Sequence, residues 1–403
     1  SKIDTAIKTT LLKSSNMFEA MNFRYFGPVN GHNLPRLVKV LSDLKDIPGP
    51  KVLHIITKKG KGLATAELDP ITFHAPGSFD SKTGELIKSI EIADSIPPKF
   101  QDVFGKTLLE LAEIDDKIVG ITPAMPTGSS FNFMMEKFPE RVFDVGIAEQ
   151  HAVTFAAGLA ASGMVPFCNI YSSFMQRAYD QVLHDVALQK LPVIFCLDRA
   201  GLVGEDGPTH HGVFDLAYFR SIPNMIVAAP IDEWELRNMM NTAKDYKEGP
   251  FSIRFPRGRG SKVDWACEME KVEIGRGRQL RDGEEIAILS IGTVGVEVLK
   301  AIENLELDKK PALYDLRFLK PLDEDLVKEV FKGFNKIITI EDGALIGGLA
   351  SAISELKNKM HYKGEIKNLG IADEFVEHGK PEELKAICGY DSAGIIACIQ
   401  SFY

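Results

Sequence analysis

The sequence predicts an α/β protein with two doubly wound parallel-sheet domains, preceded by the tail of a third α/β domain. Three observations carry that expectation. Short runs rich in β-branched residues (KIVGIT, MVPFCNIY, LPVIFCLD, MIVAAP) alternate with longer stretches of helical spacing, the pattern of a parallel sheet covered by helices on both faces. The same texture recurs after a break near residue 268, in IAILSIGT, ALYDL and KIITIED, with helical VGVEVLKAIENL and GGLASAISELKNK among them. A length of 403 residues exceeds one ordinary core, and 45% hydrophobic with 26% charged residues is the balance of a globular chain.

Taken in order, residues 1–90 read as the C-terminal remnant of a first domain plus a linker. They hold a Lys-rich helical pattern through FEAMNFRYFG, a turn-rich GPVNGHN and an amphipathic helix in LPRLVKVLSDLK. VLHIIT follows as a buried strand running into a Gly/Lys loop, and Asp69 to Ser95 is an irregular linker. Residues 91–268 form the second domain. Its helices are FQDVFGKTLLELAEID, a small-residue helix from Glu149 to Ala161, and SFMQRAYDQVLHDVALQK. Residues 269–403 form the third.

Several function classes are set aside. A net charge of −9 argues against a general nucleic-acid surface. No apolar run approaches the ~20 residues of a membrane span, and the start has neither signal-peptide architecture nor an initiator Met. The five cysteines form no CxxC pair and read as buried free thiols in a reducing compartment.

The strongest local feature is FDVGIAEQHAVTFAAGLAASG, a strand end, a turn and a helix led by Glu149. A glutamate in a first helical turn is favoured by the helix dipole alone. The helix behind it is almost wholly apolar, however, and a carboxylate leading a buried helix needs a partner. Downstream, IYSSFMQRAYDQ sets Tyr171, Phe174 and Arg177 at a strand end and the first turn of a helix, a pattern that core packing plus a surface arginine also explains. LDRAGLVGEDGPTHHG is a loop by its Gly and Pro content. It brings Arg199, Asp206, His210 and His211 close in sequence without metal-binding HxxxH spacing.

GIAEQHAVTFAAGLA, IYSSFMQRAYDQVLHDVALQKLPVIF, DRAGLVGEDGPTHHGVFDL and FPRGRG together resemble the pyrimidine-binding domain of the transketolase-like thiamin-diphosphate enzymes. Within that group the sequence is most similar to the family of 1-deoxy-D-xylulose-5-phosphate synthases. YFGPVNGHN and KGKGLATAELDPITFHA resemble the end of the same family's first domain. The resemblance implies that Glu149 hydrogen-bonds a ring nitrogen of the cofactor's aminopyrimidine, that Phe174 stacks on that ring and that Tyr171 points to substrate. It implies that Asp206 and His210 contact the acceptor sugar, and that Arg199 and Arg257 hold its phosphate, a task suited to two planar guanidinium forks. Arg177 lies between a substrate role and a structural ion pair. His74 is an expected active-site histidine. Lys59, and Lys61 beside it, are candidates for the cofactor diphosphate, and His32 orders a turn.

The implied reaction joins pyruvate and D-glyceraldehyde 3-phosphate to give 1-deoxy-D-xylulose 5-phosphate and CO2. That is the first step of the non-mevalonate isoprenoid route, which also supplies thiamin. The implied assembly is a homodimer in a bacterial cytoplasm, placed ahead of a plastid stroma. Thiamin diphosphate and Mg2+ are the implied cofactors, with no metal ligands in this chain. The family's GDG…N diphosphate motif does not occur here, so an N-terminal fragment of the same protein is expected to supply it. The split transketolase C-terminal chain, the 2-oxoacid dehydrogenase beta chain and a non-catalytic dimerisation module are the alternatives.

Overall fold

The computed structural model describes residues 17–74, 76–87 and 96–403. The chain divides into two compact units, Ser1–Ala93 and Asp94–Tyr403.

In the first unit, β1 (Arg24–Asn30) and β2 (Lys51–Ile56) pair in parallel, joined by α1 (Leu34–Lys45). Asn33 caps α1 by accepting from the Arg36 N–H at 3.1 Å, and Pro35 occupies its first turn, where no N–H is needed. Three expectations change here. GPVN lies in β1 instead of forming a turn: Val29 and Asn30 pair with Ile55 and Ile56, after an irregularity in the register at Gly27 and Pro28. FEAMN is helical only over Met17–Ala20, with residues 1–16 outside the described set. β2 is not buried: His54, Ile55 and Ile56 are exposed, because among the described residues its sheet has only the one other strand, β1. The linker expectation meets no helix or strand between Asp69 and Ile87 beyond one isolated bridge, Phe79 to Leu86, and residues 88–95 lie outside the described set.

The second unit contains two sheets. One has seven strands in the order β12-β7-β8-β6-β5-β3-β4. These are β3 (Ile118–Thr122), β4 (Val142–Asp144), β5 (Val165–Tyr171), β6 (Ile194–Ala200), β7 (Ile226–Ala228), β8 (Phe251–Pro256) and β12 (Phe318–Lys320). All pairings are parallel except the antiparallel edge of β12 on β7. The other has five, β14-β13-β10-β11-β9, again with one antiparallel edge, β9 on β11. Its members are β9 (Arg278–Arg281), β10 (Ile286–Ile291), β11 (Ala312–Asp315), β13 (Lys336–Ala344) and β14 (Glu365–Ile371). The chain therefore crosses back: β12 follows β11 in sequence but extends the first sheet.

Helices cover these sheets as the apolar spacing demands. α2 (Phe100–Ile114) buries Val103, Phe104, Leu108 and Leu111, which recur at helical intervals. α3 (Glu149–Ala161) packs through Ala152, Val153, Ala156 and Ala160, small residues that let it lie close to β5. One apolar cluster runs from Ala152 and Cys168 through Leu216 and Phe219 to Leu289, Leu316 and Ile353, so the two sheets share a core. The stretch expected as one helix after β5 is instead a succession: α-helix at Ser172–Met175, a 3-10 turn at Gln176–Ala178, and a π-helical segment at Val182–Ala187. Tighter and wider winding changes where successive side chains point. All five cysteines are free thiols, but only Cys168 and Cys196 are buried.

Candidate active site

The carboxyl ends of five parallel strands lie side by side in the order β8, β6, β5, β3, β4. At about 4.8 Å per strand that edge spans roughly 19 Å. It carries, in that order, Arg257, Arg199, Tyr171, the Met125–Ser130 loop and Glu149. Open α/β sheets bind ligands along this edge.

Glu149 is set by the turn after β4. Asp144 accepts the N–H groups of Ala124 and Gly146 at 2.8 and 2.9 Å, and Gly146 takes a left-handed φ of +73°, a conformation that glycine adopts freely. α3 begins directly at Glu149, which is 3% exposed. Among the described residues, the cation paired with its carboxylate is Arg177, at 3.6 Å and itself largely exposed. That contact sets Arg177, which is reached from the 3-10 turn after β5, opposite the Glu149 carboxylate.

At the end of β5, Tyr171 and Phe174 stack with ring centroids 5.6 Å apart, and Phe174 meets the His210 ring edge-on at 5.2 Å. The Arg199 guanidinium lies 4.1 Å over the Tyr171 ring, a cation–π contact. Burial raises the Tyr171 hydroxyl to about 12, although Arg199 draws it down, so it stays a neutral donor. Its oxygen occupies the space a side chain at Gly128 would fill.

Arg199 donates to the Gly128 carbonyl at 2.8 Å and pairs with Asp198, which is wholly buried. Burial lifts the Asp198 carboxyl to about 6 against the pull of Arg199. Arg257 pairs with Asp206 at 2.6 Å, and both remain exposed. His210 is half-buried, with Nδ1 and the Thr209 hydroxyl 2.9 Å apart. Tyr171, Phe174, Arg199 and His210 thus form one contact cluster, while Arg177 binds Glu149 and Arg257 binds Asp206.

The remaining expected residues lie in the first unit. His74 is exposed and closes a turn onto the Ile71 carbonyl at 3.1 Å. Lys59 is exposed, between Lys58 and Lys61, which both pair with Glu67 at 2.9 and 3.2 Å. His32 accepts the Lys58 N–H at 2.7 Å, which ties it to the segment after β2. Among the described residues no group of three His, Cys, Asp or Glu is arranged to hold a metal ion, and no helix is long and apolar enough to cross a membrane.

Sequence reasoning missed Asp198, the carboxylate that aims Arg199, and Arg254 of β8. Arg254 pairs with Asp215 at 2.8 Å and with Asp342 of β13, all three buried. The signal was available in both cases: Asp in CLDRA and Arg in FSIRFP interrupt runs otherwise apolar enough to be central strands.

Comparison with known proteins agrees with this layout. Residues 97–261 match the model of the transketolase pyrimidine-binding domain, residues 275–395 that of the transketolase C-terminal domain, and residues 1–57 that of 1-deoxy-D-xylulose-5-phosphate synthase. The 1-deoxy-D-xylulose-5-phosphate synthase of Cytophaga hutchinsonii is 57% identical over all of this chain and 63% of its own length. This chain resembles 1-deoxy-D-xylulose-5-phosphate synthase along its whole length. The synthase of Phocaeicola vulgatus is 56% identical with the same coverage, and that of Aquifex aeolicus 47% identical over 96% of the chain and 60% of its own length. The chain therefore spans about 63% of the length of such synthases. Among solved structures, a split-gene transketolase described as an inactive beta4 tetramer superposes with a TM-score of 0.67 at 29% identity, covering 75% of this chain and 97% of its own.

Proposed function

We propose that this chain carries the pyrimidine-binding and acceptor-binding part of a 1-deoxy-D-xylulose-5-phosphate synthase. The enzyme would condense pyruvate with D-glyceraldehyde 3-phosphate, releasing CO2. The observation that carries the reading is the order of groups along one sheet edge: a buried carboxylate at the β4 end, aromatic rings at the β5 end, and two arginines at the β6 and β8 ends. That order suits a nucleophile-bearing cofactor at one side and a phosphate-bearing aldehyde at the other.

The residues present fit the aminopyrimidine of thiamin diphosphate. Glu149 is a buried carboxylate paired with Arg177 at 3.6 Å, beyond hydrogen-bond distance, which leaves it able to hydrogen-bond a ring nitrogen. Phe174 offers a half-buried face one turn before Arg177. When bound, the cofactor supplies the carbanion chemistry, and the protein supplies position and electrostatics. Glu149 holds or shares a proton at that ring nitrogen. Tyr171 presents a neutral hydroxyl, and His210 and Asp206 face the acceptor. Arg199, held by Asp198, and Arg257 anchor its phosphate. Binding of the acceptor phosphate exchanges the Arg257–Asp206 pair for a stronger one and frees Asp206 for a sugar hydroxyl.

His74 and Lys59 are proposed to act near the cofactor's thiazolium and diphosphate. The magnesium site and most of the diphosphate grip are assigned to a further N-terminal polypeptide, since the GDG…N motif is absent from this sequence. Domain limits at 90 and 268, a homodimer, a cytoplasmic setting and a place in isoprenoid and thiamin supply complete the proposal. A second reading, the C-terminal chain of a split transketolase, is favoured by the solved neighbour, whose own length is almost fully matched. Supplying this chain with the N-terminal part of a related synthase and assaying release of CO2 from pyruvate separates the two. The synthase reading expects CO2 release that requires both pieces. Turnover of ketose donors without pyruvate decarboxylation would favour the transketolase reading instead.

A further inference from the structure

The loop from Gly201 to Gly212 carries Asp206 and His210, and it closes at its base, where the two glycines exchange N–H to carbonyl bonds of 2.8 Å each. Between those ends it rests on the later part of the chain at a series of points. Gly201, with φ of +73°, lies over Asp342, and a Cβ there would come within 2.4 Å of the carboxylate. Gly204, with φ of +94°, accepts the Gly379 N–H at 3.4 Å and lies against Pro381. Gly207, with φ of +71°, sits on His378. The three glycines of GLVGEDG thus meet two conditions at once: each needs left-handed backbone, and each faces a surface that a side chain would press against.

His211 ties this arrangement together. It is 3% exposed, and its Nδ1 accepts the Val203 N–H at 3.1 Å. A neutral imidazole that accepts at Nδ1 carries its proton at Nε2, and Nε2 lies 3.2 Å from the carbonyl oxygen of Glu377. Both ring nitrogens are therefore committed, one within the loop and one to the segment beneath it. The neighbouring His210 differs in being half-buried and turned to Phe174.

We propose that the Glu377–Pro381 segment is the seat that sets the position of the Gly201–Gly212 loop, with His211 as the positioning residue, so that the last part of the chain tunes acceptor affinity. The seat follows from the contacts alone, whereas its effect on the acceptor rests on the function proposed above. Loops of irregular backbone are ordered by what they pack against, and here the packing partner lies some 170 residues further along the chain.

The test compares amide hydrogen exchange and D-glyceraldehyde 3-phosphate binding in the 403-residue chain and three variants. His211→Phe should speed exchange at Val203 and Gly204 by about tenfold or more, and weaken the acceptor by a similar factor. His211→Asn, whose amide oxygen can stand where Nδ1 does, should restore part of the Val203 protection. Glu377→Gln should change neither, because the contact is made by the main-chain carbonyl. Unchanged exchange at Val203 and Gly204 in both His211 variants overturns the seat. Faster exchange with unchanged acceptor affinity overturns the positioning role. If the parent chain binds no acceptor, the functional reading of the loop fails, and the exchange comparison still decides the seat.

Discussion

Replacing Glu149 by Gln keeps the shape of the side chain and removes the charge that Arg177 faces at 3.6 Å. If this carboxylate shares a proton with the aminopyrimidine, Glu149→Gln lowers turnover by about 10²–10⁴-fold in the assembled enzyme, with an unchanged circular dichroism spectrum. Turnover within threefold of the parent would contradict the role. Asp198 makes a second prediction. Its carboxyl is raised from 3.8 to about 6 by burial. A raised carboxylate pKa means the folded state holds the proton more tightly, so this stabilisation is complete below about 3.8 and is lost as the pH rises through about 6. Thermal denaturation of Asp198→Asn against the parent should therefore show the gap moving in the variant's favour between pH 4 and pH 7. A constant gap across that window would contradict the burial argument. At this scale the sequence was informative where a residue type broke its surroundings. Glu149 stands out at the head of an apolar helix, whereas the 3.6 Å approach of Arg177 to it leaves no trace in the sequence. Asp198 was overlooked because a strand-ending Asp-Arg pair resembles an ordinary surface pair until the strand is known to be central.

At the scale of elements, α3 was legible to the residue, since the Ala/Gly/Val run after Glu149 admits one period. The helix from Leu34 to Lys45 was equally clear. Strands β9 and β12 are only three or four residues long, too short for a periodic signal, and β8 was hidden by the arginine at its centre, whereas the equally short β4 and β7 show as the strand end in FDVG and the run MIVAAP. The broken winding after β5 had no marker, because neither Pro nor Gly interrupts SFMQRAYDQVLHDVALQK. Glu341 illustrates how one buried side chain defines an element. Its two oxygens accept the N–H groups of Leu349 and Ala350 at 2.7 and 2.9 Å, at the start of the helix Leu349–Lys359. Those donors have no partner within the helix itself. Glu341→Ala should cost about 2 kcal/mol in urea denaturation, and a loss below about 0.5 kcal/mol would mean that other groups satisfy the helix start.

At the scale of the whole molecule, the two sheets of the second unit are joined by an apolar core, by β12 crossing into the first sheet, and by Arg254 bound between Asp215 and Asp342. Removing the arginine leaves two buried carboxylates uncompensated. Arg254→Leu should lower stability by about 3–5 kcal/mol, and adding Asp342→Asn should recover part of it. Additive losses in the double variant would contradict direct pairing. The division into two doubly wound halves was readable from alternating patterns, whereas the long-range links were not, since neither a crossing strand nor an ion pair across 88 residues leaves a local trace.

The central claim is that this chain supplies the pyrimidine and acceptor end of a thiamin-diphosphate site whose diphosphate end lies elsewhere. Calorimetric titration with thiamin diphosphate and Mg2+, on this chain alone and mixed with the N-terminal part of a related synthase, tests it most directly. The account predicts weak or absent binding to the chain alone, saturable binding to the mixture, and loss of that binding or of the ensuing turnover in Glu149→Gln. Absent binding in a mixture shown to associate, or tight binding to the chain alone that Glu149→Gln leaves untouched, would contradict it.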